Sequence, residues 1–341
     1  MGVALNPQTR QALGLYLTNI CRHNNVANTT ERFAVQPLPQ QKMISAYQQS
    51  ADFLKMINII PVDNASGQKI GLNVGSVASN TNTLVNPRRP TPMGALDELD
   101  QYLCTQTNYD VAYLYVLLNA WSHMPNFQQM LAQMVIKAIA LDKIKIGFNG
   151  IERRAQTDKI ANPLLQDVNV GWLEKIRIWA TERTYGGELN PSTGKPELKI
   201  GANHYYKTID AVVEMAINEL IAEQHRESPL VAICGRGILN DKYLPMMNQT
   251  LDPTEQIAVR NIYANKQLGT IQALHVPFFP QGKILITSPD NLSIYIQNGT
   301  IRRLIKDEPE WDRLADYQSV NESFVVEDYE KCALIENVEY D

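Results

Sequence analysis

The sequence predicts an α+β fold with two packed regions, and three observations support this class. The 341 residues are 44% hydrophobic and 20% charged, which is typical of a folded chain of about two domains. Helix and strand patterns alternate between residues 208 and 297, as expected for an α/β unit. Residues 76–101 and 185–201 have too few apolar side chains to fold alone. We therefore expect two cores with long excursions from them.

Charge and hydropathy exclude several classes of protein. The chain has 31 lysines and arginines and 36 aspartates and glutamates. The resulting net charge of −5 argues against a dedicated nucleic-acid binder. The longest uncharged apolar stretch, residues 111–121, is about half of the ~20 residues that a membrane helix needs. Residues 1–18 do not have the pattern of a signal peptide. The four cysteines are far apart in sequence, which predicts reduced thiols and no Cys-x-x-Cys metal site.

The first predicted element is an amphipathic helix near the N-terminus. Asn6 can cap it, and Pro7 suits the first helical position. Three arginines and one glutamate make residues 1–32 basic, while the rest of the chain is acidic. Two interpretations stay open, a helix docked on the body and a detachable arm whose apolar face meets a partner. The helical spacing places four side chains on that face: Leu13, Tyr16, Leu17 and Ile20.

Turn residues and hydrophobic periodicity define the other elements. Two prolines precede a helix over residues 40–55, and a Thr208 cap precedes a helix that starts at Ile209. The longest helix is predicted over residues 126–146, with apolar residues at i, i+3, i+4 and i+7. Further helices are predicted over 237–248 and 253–266, and strands over 57–62, 69–74, 102–118, 230–234, 283–287, 291–297, 325–329 and 332–338.

Two glycine-containing segments bear a superficial likeness to phosphate-binding motifs. The Ser-Thr-Gly-Lys sequence at 192–195 lacks the first glycine of a P-loop, and Pro196 follows where a magnesium ligand should stand. We therefore predict a hairpin turn there. The Gly-Arg-Gly sequence at 235–237 joins a strand to a helix, but Asn240 replaces the third glycine of a dinucleotide fingerprint. A tight turn is the preferred interpretation.

No constellation of catalytic, cofactor-binding or metal-ligating residues is evident. The five histidines never stand three or four residues apart, so no helical metal pair is present. No Gly-x-Ser-x-Gly elbow occurs either. The small basic spots at Arg88-Arg89 and 153–154 suit salt bridges across a subunit boundary better than DNA contacts. Long segments with too few apolar side chains to fold alone usually become ordered on a partner. They therefore favour an assembling structural protein over an enzyme.

A series of short segments resembles the major capsid proteins of temperate, contractile-tailed phages of the Peduovirus type. The resemblance runs from about Gln8 to Val338, and the order and spacing of the segments make it specific. The segments are SADFL at 50–54, INIIPV at 57–62, KIG at 69–71, GFNG at 147–150, NPLLQDV at 162–168, VGWL at 170–173, DKY at 241–243, NLSIY at 291–295 and VVEDY at 325–329.

The resemblance implies the Hong Kong ninety-seven capsid fold, with a peripheral domain, an axial domain, an extended loop and an N-terminal arm. Residues 126–146 would be its spine helix. The expected division is an arm that contacts scaffold over 1–33, an N-arm over 34–58, an extended loop over 59–109, a peripheral domain over 110–207, an axial domain over 208–298 and a return to the peripheral domain over 299–341.

The resemblance also implies partners and processing. Hexamers and pentamers of the chain would close an icosahedral shell around double-stranded DNA, in the virion after assembly in the host cytoplasm. A scaffolding protein with a maturation protease, a portal protein and decoration proteins would be the other partners, and neither catalysis nor a membrane is implied. The scaffold would contact the apolar face of the first helix, trimming would fall near Phe33-Ala34, and Lys69, Arg88 and Arg89 would lie in the inter-subunit loop.

Two alternatives remain open from the sequence. A nucleotide-binding enzyme could use the turn at 235–237 as a phosphate site, although the third glycine is missing. A tail or baseplate module would also assemble from repeated copies, but into a particle of different symmetry.

Overall fold

A computed structural model of the chain describes residues 4–69, 101–124, 126–191, 193–247 and 266–340. The α-helices of this part are α1 Pro7–Asn24, α2 Pro37–Ser50, α3 Asp52–Met56, α4 Tyr115–Trp121, α5 Phe127–Asn149, α6 Trp172–Trp179, α7 Ile209–Glu219 and α8 Arg236–Met247. Helices α5, α7 and α8 begin close to their predicted positions, whereas the predicted helix over 40–55 is divided into α2 and α3.

The strands of the described residues form two large sheets and two small ones. They are β1 Phe33–Ala34, β2 Asn58–Val62, β3 Ser66–Gln68, β4 Gln101–Leu103, β5 Thr105–Leu114, β6 Thr184–Tyr185, β7 Glu188–Leu189, β8 Pro196–Ile200, β9 Val231–Cys234, β10 Gln267–Leu268, β11 Ile271–His275, β12 Ile284–Thr287, β13 Leu292–Gln297, β14 Arg302–Glu308, β15 Arg313–Val326, β16 Cys332–Ile335 and β17 Val338–Tyr340.

The first sheet is organised by the 14-residue strand β15. Along one edge β15 pairs antiparallel with β14 and then with β13, and along the other edge it pairs with β5. β13 in turn pairs in parallel with β2, and β1 pairs with the outer edge of β14. Helices α1, α2, α5 and α6 pack on this sheet and supply what we call the first core. Among its fully buried side chains are Leu54, Leu118, Leu131, Ile144, Trp172, Ile176, Ile294 and Phe324.

The second sheet has the order β10-β11-β9-β12-β16-β6. β12 and β16 are buried at every position, as expected for strands that are covered on both faces. Helix α7 packs on this sheet and forms the second core with it. Its fully buried side chains include Val212, Val213, Ala216, Ala232, Ile284, Ile286, Ala333 and Ile335.

The two sheets do not follow the division of the chain that was expected from the sequence. β13 lies within the expected axial range 208–298 but belongs to the first sheet. β16 and β17 lie within the expected return segment, yet β16 joins the second sheet and Val338 packs in the second core. Such pairings join residues far apart in sequence, so periodicity alone does not locate them.

Several local predictions are corrected. The predicted strand over 102–118 ends at Leu114, because Tyr115 begins α4. The predicted apolar stripe of α5 includes Met134, which is exposed, whereas the buried face follows an i+4 series from Phe127 to Lys143. In the predicted turn over 63–67, Ser66 and Gly67 belong to β3. The predictions for 70–74, for most of 76–101 and for 253–265 lie outside the described residues.

Candidate functional site

The N-terminal helix is docked on the body of the protein. The Asn6 carboxamide accepts a hydrogen bond from the Thr9 amide at 2.7 Å, so the predicted cap is confirmed. Leu13, Tyr16 and Ile20 are buried in the first core, and Leu17 packs at its border. In this structure the apolar face of α1 is therefore covered by the chain's own body, as in the first of the two interpretations.

A polar contact fixes the same helix to the first sheet. The Arg303 guanidinium donates to the Tyr16 hydroxyl at 3.0 Å and to the Asp316 carboxylate at 2.7 and 2.9 Å. Burial opposes the charge of Arg303, but Asp316 outweighs it and raises the pKa of the guanidinium above its ordinary value. Because Asp316 is buried, this pair couples the docking of α1 to the interior of the sheet.

The expected trimming point lies in a β-ladder. Phe33 and Ala34 form β1, and they pair with Arg303 and Arg302 of β14. The amide of Val35 continues the ladder by donating to the Ile301 carbonyl at 2.8 Å. A protease needs an extended, accessible segment, so cleavage here would require β1 to separate from β14.

Lys69, which was expected at a neighbour contact, is buried within its own chain. Its ammonium donates to the Val326 carbonyl at 3.0 Å and to the Glu327 carbonyl at 3.3 Å, and it lies over the Tyr329 ring. Burial, together with the charge of Lys69, lowers the pKa of Lys175 to about 8. The role of Lys69 between subunits remains a prediction. Arg88 and Arg89 lie outside the described residues.

A buried ion pair beneath α5 was missed by the sequence reasoning. The Lys143 ammonium contacts the Glu322 carboxylate of β15, and both side chains are almost fully buried. The Tyr109 hydroxyl donates to the same carboxylate at 2.5 Å. Lys143 continues the i+4 series of buried positions on α5, so a charged residue on an apolar face was the available signal. Its partner, 179 residues away, gave none.

The two glycine segments adopt the predicted turns. At 193–195 the chain reverses between β7 and β8, and the Asn190 amide donates to the Lys195 carbonyl at 2.9 Å. Gly194 has a φ of 66°, which favours glycine. The segment at 235–237 joins β9 to α8 directly. A phosphate site there has no support beyond the turn itself.

One group of metal-binding side chains meets in the described part of the chain. His225, Asp328 and Glu330 place ligand atoms within 4.8 Å of one another. The His225 imidazole lies 3.0 Å from the Asp328 carboxylate, and the Gln224 side-chain amide donates to the Glu330 carboxylate at 2.8 Å. These contacts give each of the three side chains a hydrogen-bond or ion-pair partner within the chain, and they stabilise the turn between β15 and β16. Sequence spacing gave no sign of this group, because His225 is about a hundred residues from the two carboxylates.

The four cysteines are free thiols, as predicted. Burial raises the pKa of Cys104 to about 11 and the pKa values of Cys234 and Cys332 to about 12. Such thiols stay protonated and react slowly. Among the described helices none is long and apolar enough to cross a membrane.

Comparison with known proteins assigns the chain to a class. A family model described as "Phage major capsid protein, P2 family" matches residues 12–338. The capsid protein of Escherichia phage P2 is 37% identical over 341 residues, covering 98% of this chain and 95% of that protein. The major capsid protein of Serratia phage KSP20 is 38% identical and covers 97% of both chains. These matches define a protein that builds phage capsids.

A solved structure extends the likeness to the fold. The chain matches a protein of the satellite phage P4 procapsid, which includes the size determination (Sid) protein, with a TM-score of 0.82 and 36% identity over 99% of both chains. The chain belongs to the P2 family of phage major capsid proteins. The predicted capsid fold and a structural role in the shell of the virion are thereby confirmed, whereas nothing supports an enzyme or a tail module.

Proposed function

We propose that the chain assembles as hexamers and pentamers into a closed icosahedral shell that holds double-stranded DNA. The observation that supports this most is a match over 99% of the chain to a procapsid protein. Closed symmetry sums many weak contacts, so no single interface has to be strong. With a net charge of −5, the chain would meet DNA through local basic groups and without reading its sequence.

Shell formation would need a scaffolding protein, which we propose contacts α1. In the docked state Leu13, Tyr16 and Ile20 face the body, so a scaffold that binds these side chains must compete with the first core. Leu17, at the border of that face, would be reached first. We expect Leu17→Asp to prevent correct shells while the body stays folded. Leu15→Asp, on the exposed side of α1, is the matched control.

Comparing the two variants shows which side of α1 the scaffolding protein contacts. Normal shells from Leu17→Asp would contradict the scaffold contact. A defect in Leu15→Asp alone would place the scaffold on the opposite side of α1. Thermal unfolding of each unassembled variant shows whether the body has stayed intact.

We propose that trimming near Phe33-Ala34 by a maturation protease follows assembly. Because both residues are paired in β1, the bond would become accessible only when β1 separates from β14. Mass spectrometry of the chain in purified shells should then show loss of the first 33 residues. An intact chain in mature shells would contradict trimming at this site.

The remaining roles follow from membership of the shell. A portal protein at one vertex and decoration proteins on the surface would be further partners, and assembly would occur in the host cytoplasm. The extended loop 59–109 would reach a neighbour, with the spine in a peripheral domain and an axial domain at the capsomer centre. We propose no catalytic step, because the family is structural.

Electron microscopy of the expressed chain, with and without a scaffolding protein, tests the proposed function. Closed, uniform, polyhedral particles are expected, with the scaffold controlling their size. Only monomers or small rings under both conditions would contradict it.

A further inference from the structure

Two different surfaces with exposed apolar side chains lie beside the long strand β5. At its C-terminal end, Leu114 pairs with Arg313, and the Tyr115 amide donates to the Asp312 carbonyl at 2.9 Å. These contacts bring the tip of the β14–β15 hairpin, residues 306–313, beside the start of α4. Exposed apolar side chains gather there: Leu114, Val116, Leu117 and Trp311. We call this the hairpin surface.

The rim of the hairpin surface is acidic. Residues 306–313 carry four acidic and two basic side chains. The Glu308 carboxylate accepts hydrogen bonds from the Arg313 guanidinium at 2.7 Å and from the Tyr317 hydroxyl at 2.8 Å. Glu310 is exposed and makes no hydrogen bond or ion pair with another described residue. Beside it Trp311 is 66% exposed, which is unusual for the largest apolar side chain.

Along residues 106–111 of β5 lies a loop with the opposite character. The Arg153 guanidinium donates to the Gln106 carbonyl of β5 at 2.9 Å, and residues 153–159 line a cleft with residues 106–111 of β5. The segment carries three basic and two acidic side chains. Lys159 is exposed, and Ile160 is 94% exposed at its tip. We call residues 151–160 the basic loop.

The basic loop is rigid although its tip is exposed. The Asp158 carboxylate accepts from the Ile160 amide at 2.8 Å, and the Asp158 amide donates to the buried Asp167 carboxylate at 2.7 Å. The Asn162 side chain donates to the same carboxylate at 3.1 Å. An apolar side chain that is held out on a fixed loop loses little entropy on binding, which is typical of an interface anchor.

Charge determines which surfaces can meet. Two copies of the hairpin surface would bring acidic rims together, which is unfavourable. An apolar surface with an acidic rim fits a partner that is apolar and basic, and the basic loop of the same chain has both properties. Ile160 and Trp311 are both largely exposed, so these two side chains do not cover each other within one copy.

We propose that the hairpin surface of one copy binds the basic loop of the next, with Glu310 facing Lys159 and Trp311 packing on Ile160. Because two different surfaces meet, the contact is head-to-tail, and its repetition closes a ring when the rotation allows. The inference rests on the shell-forming role proposed above, and it adds the residues of one contact.

Charge reversal in the full chain tests the contact directly. Under conditions in which the unaltered chain gives shells, Glu310→Lys and Lys159→Glu should each lower the shell yield about tenfold, because each puts like charges together at a repeated contact. The double variant restores the opposite pairing, so its yield should return to within about threefold of the original. Glu188→Lys, an exposed reversal on β7, is the matched control and should assemble normally.

Two further variants address the apolar part. Trp311→Ser and Ile160→Ser should also lower the yield, whereas Tyr205→Ser, which removes a ring that is 89% exposed elsewhere, should not. All these side chains are exposed, so thermal unfolding of the unassembled chain should change little.

Single reversals that assemble normally, or a double variant as defective as the singles, would overturn the proposed contact while the shell-forming role stands. Failure of the unaltered chain to form shells would instead contradict the proposed function.

Discussion

The first core encloses charged groups, whereas the second core is lined by aliphatic side chains. The Lys143–Glu322 pair lies beneath α5, and the buried Asp316 carboxylate lies beside Arg303 near α1. On the strands of the second sheet, the buried residues are aliphatic side chains, cysteines and one threonine. Buried charges require specific partners, while aliphatic side chains require only volume. The first region therefore has an arrangement fixed by polar contacts, and the second depends on packing.

The largest effect should follow from removing one charge of the first core. Lys143→Met leaves the Glu322 carboxylate buried without its partner, and we expect a loss of about 3–5 kcal/mol in the free energy of unfolding. Replacing both residues, as Lys143→Met with Glu322→Leu, should recover part of that loss, because the buried Tyr109 hydroxyl then lacks its acceptor. Urea unfolding of the unassembled chain measures both. A single variant as stable as the original would show that the pair contributes little.

In the second core a loss of volume should be the damaging change. Ile286 is fully buried in β12, and Ile286→Ala should cost about 2–4 kcal/mol through the lost contacts and the cavity. Ile178→Ala is the control, because that isoleucine is exposed and its loss should cost under about 0.5 kcal/mol. Equal losses in the two variants would contradict the assigned packing.

Two glycines in helices of the first region should respond with opposite signs. A Cβ at Gly147 would lie 2.1 Å from the Trp172 ring, whereas a Cβ at Gly14 would meet nothing within 4 Å. We expect Gly147→Ala to destabilise the chain by about 1–3 kcal/mol. Gly14→Ala should stabilise it by up to about 1 kcal/mol, since alanine favours helices. Thermal unfolding decides the sign, and stabilisation by both would mean that α5 and α6 are further apart.

The smallest effect concerns pH. Burial lowers the pKa of Lys175 to about 8, below the 10.5 of a free lysine, so the unfolded chain binds more protons between these values. Stability should therefore rise with pH from about 8 to 10.5 and be unchanged by this group below 8. Lys175 keeps partial exposure, so solvent screens the effect to about 1 kcal/mol. Lys175→Met should remove the rise, and an unchanged pH profile would contradict it.

Local features were predictable from the sequence because they depend on neighbouring residues. The Asn6 cap, the Thr208 cap and the long helix α5 follow from side chains within one or two turns. The assignment of β13 and β16 to different sheets depends on pairing across tens of residues, so it was not predictable. The same holds for the Lys143–Glu322 pair and for the covering of α1.

The capsid role was suggested by segments spread over the whole chain, and not by any site. An interface leaves little signal in one sequence, because exposed apolar residues become meaningful only when the fold groups them. Ile160 and Trp311, which we propose meet between copies, look ordinary in sequence and stand out only by their exposure.

The symmetry of particles formed by the full chain with its scaffolding protein tests the central claim most directly. Image reconstruction should show closed icosahedral shells in which one fold occupies both six-fold and five-fold rings. Tubes, open sheets or rings of a single symmetry would contradict a shell built from hexamers and pentamers of this chain.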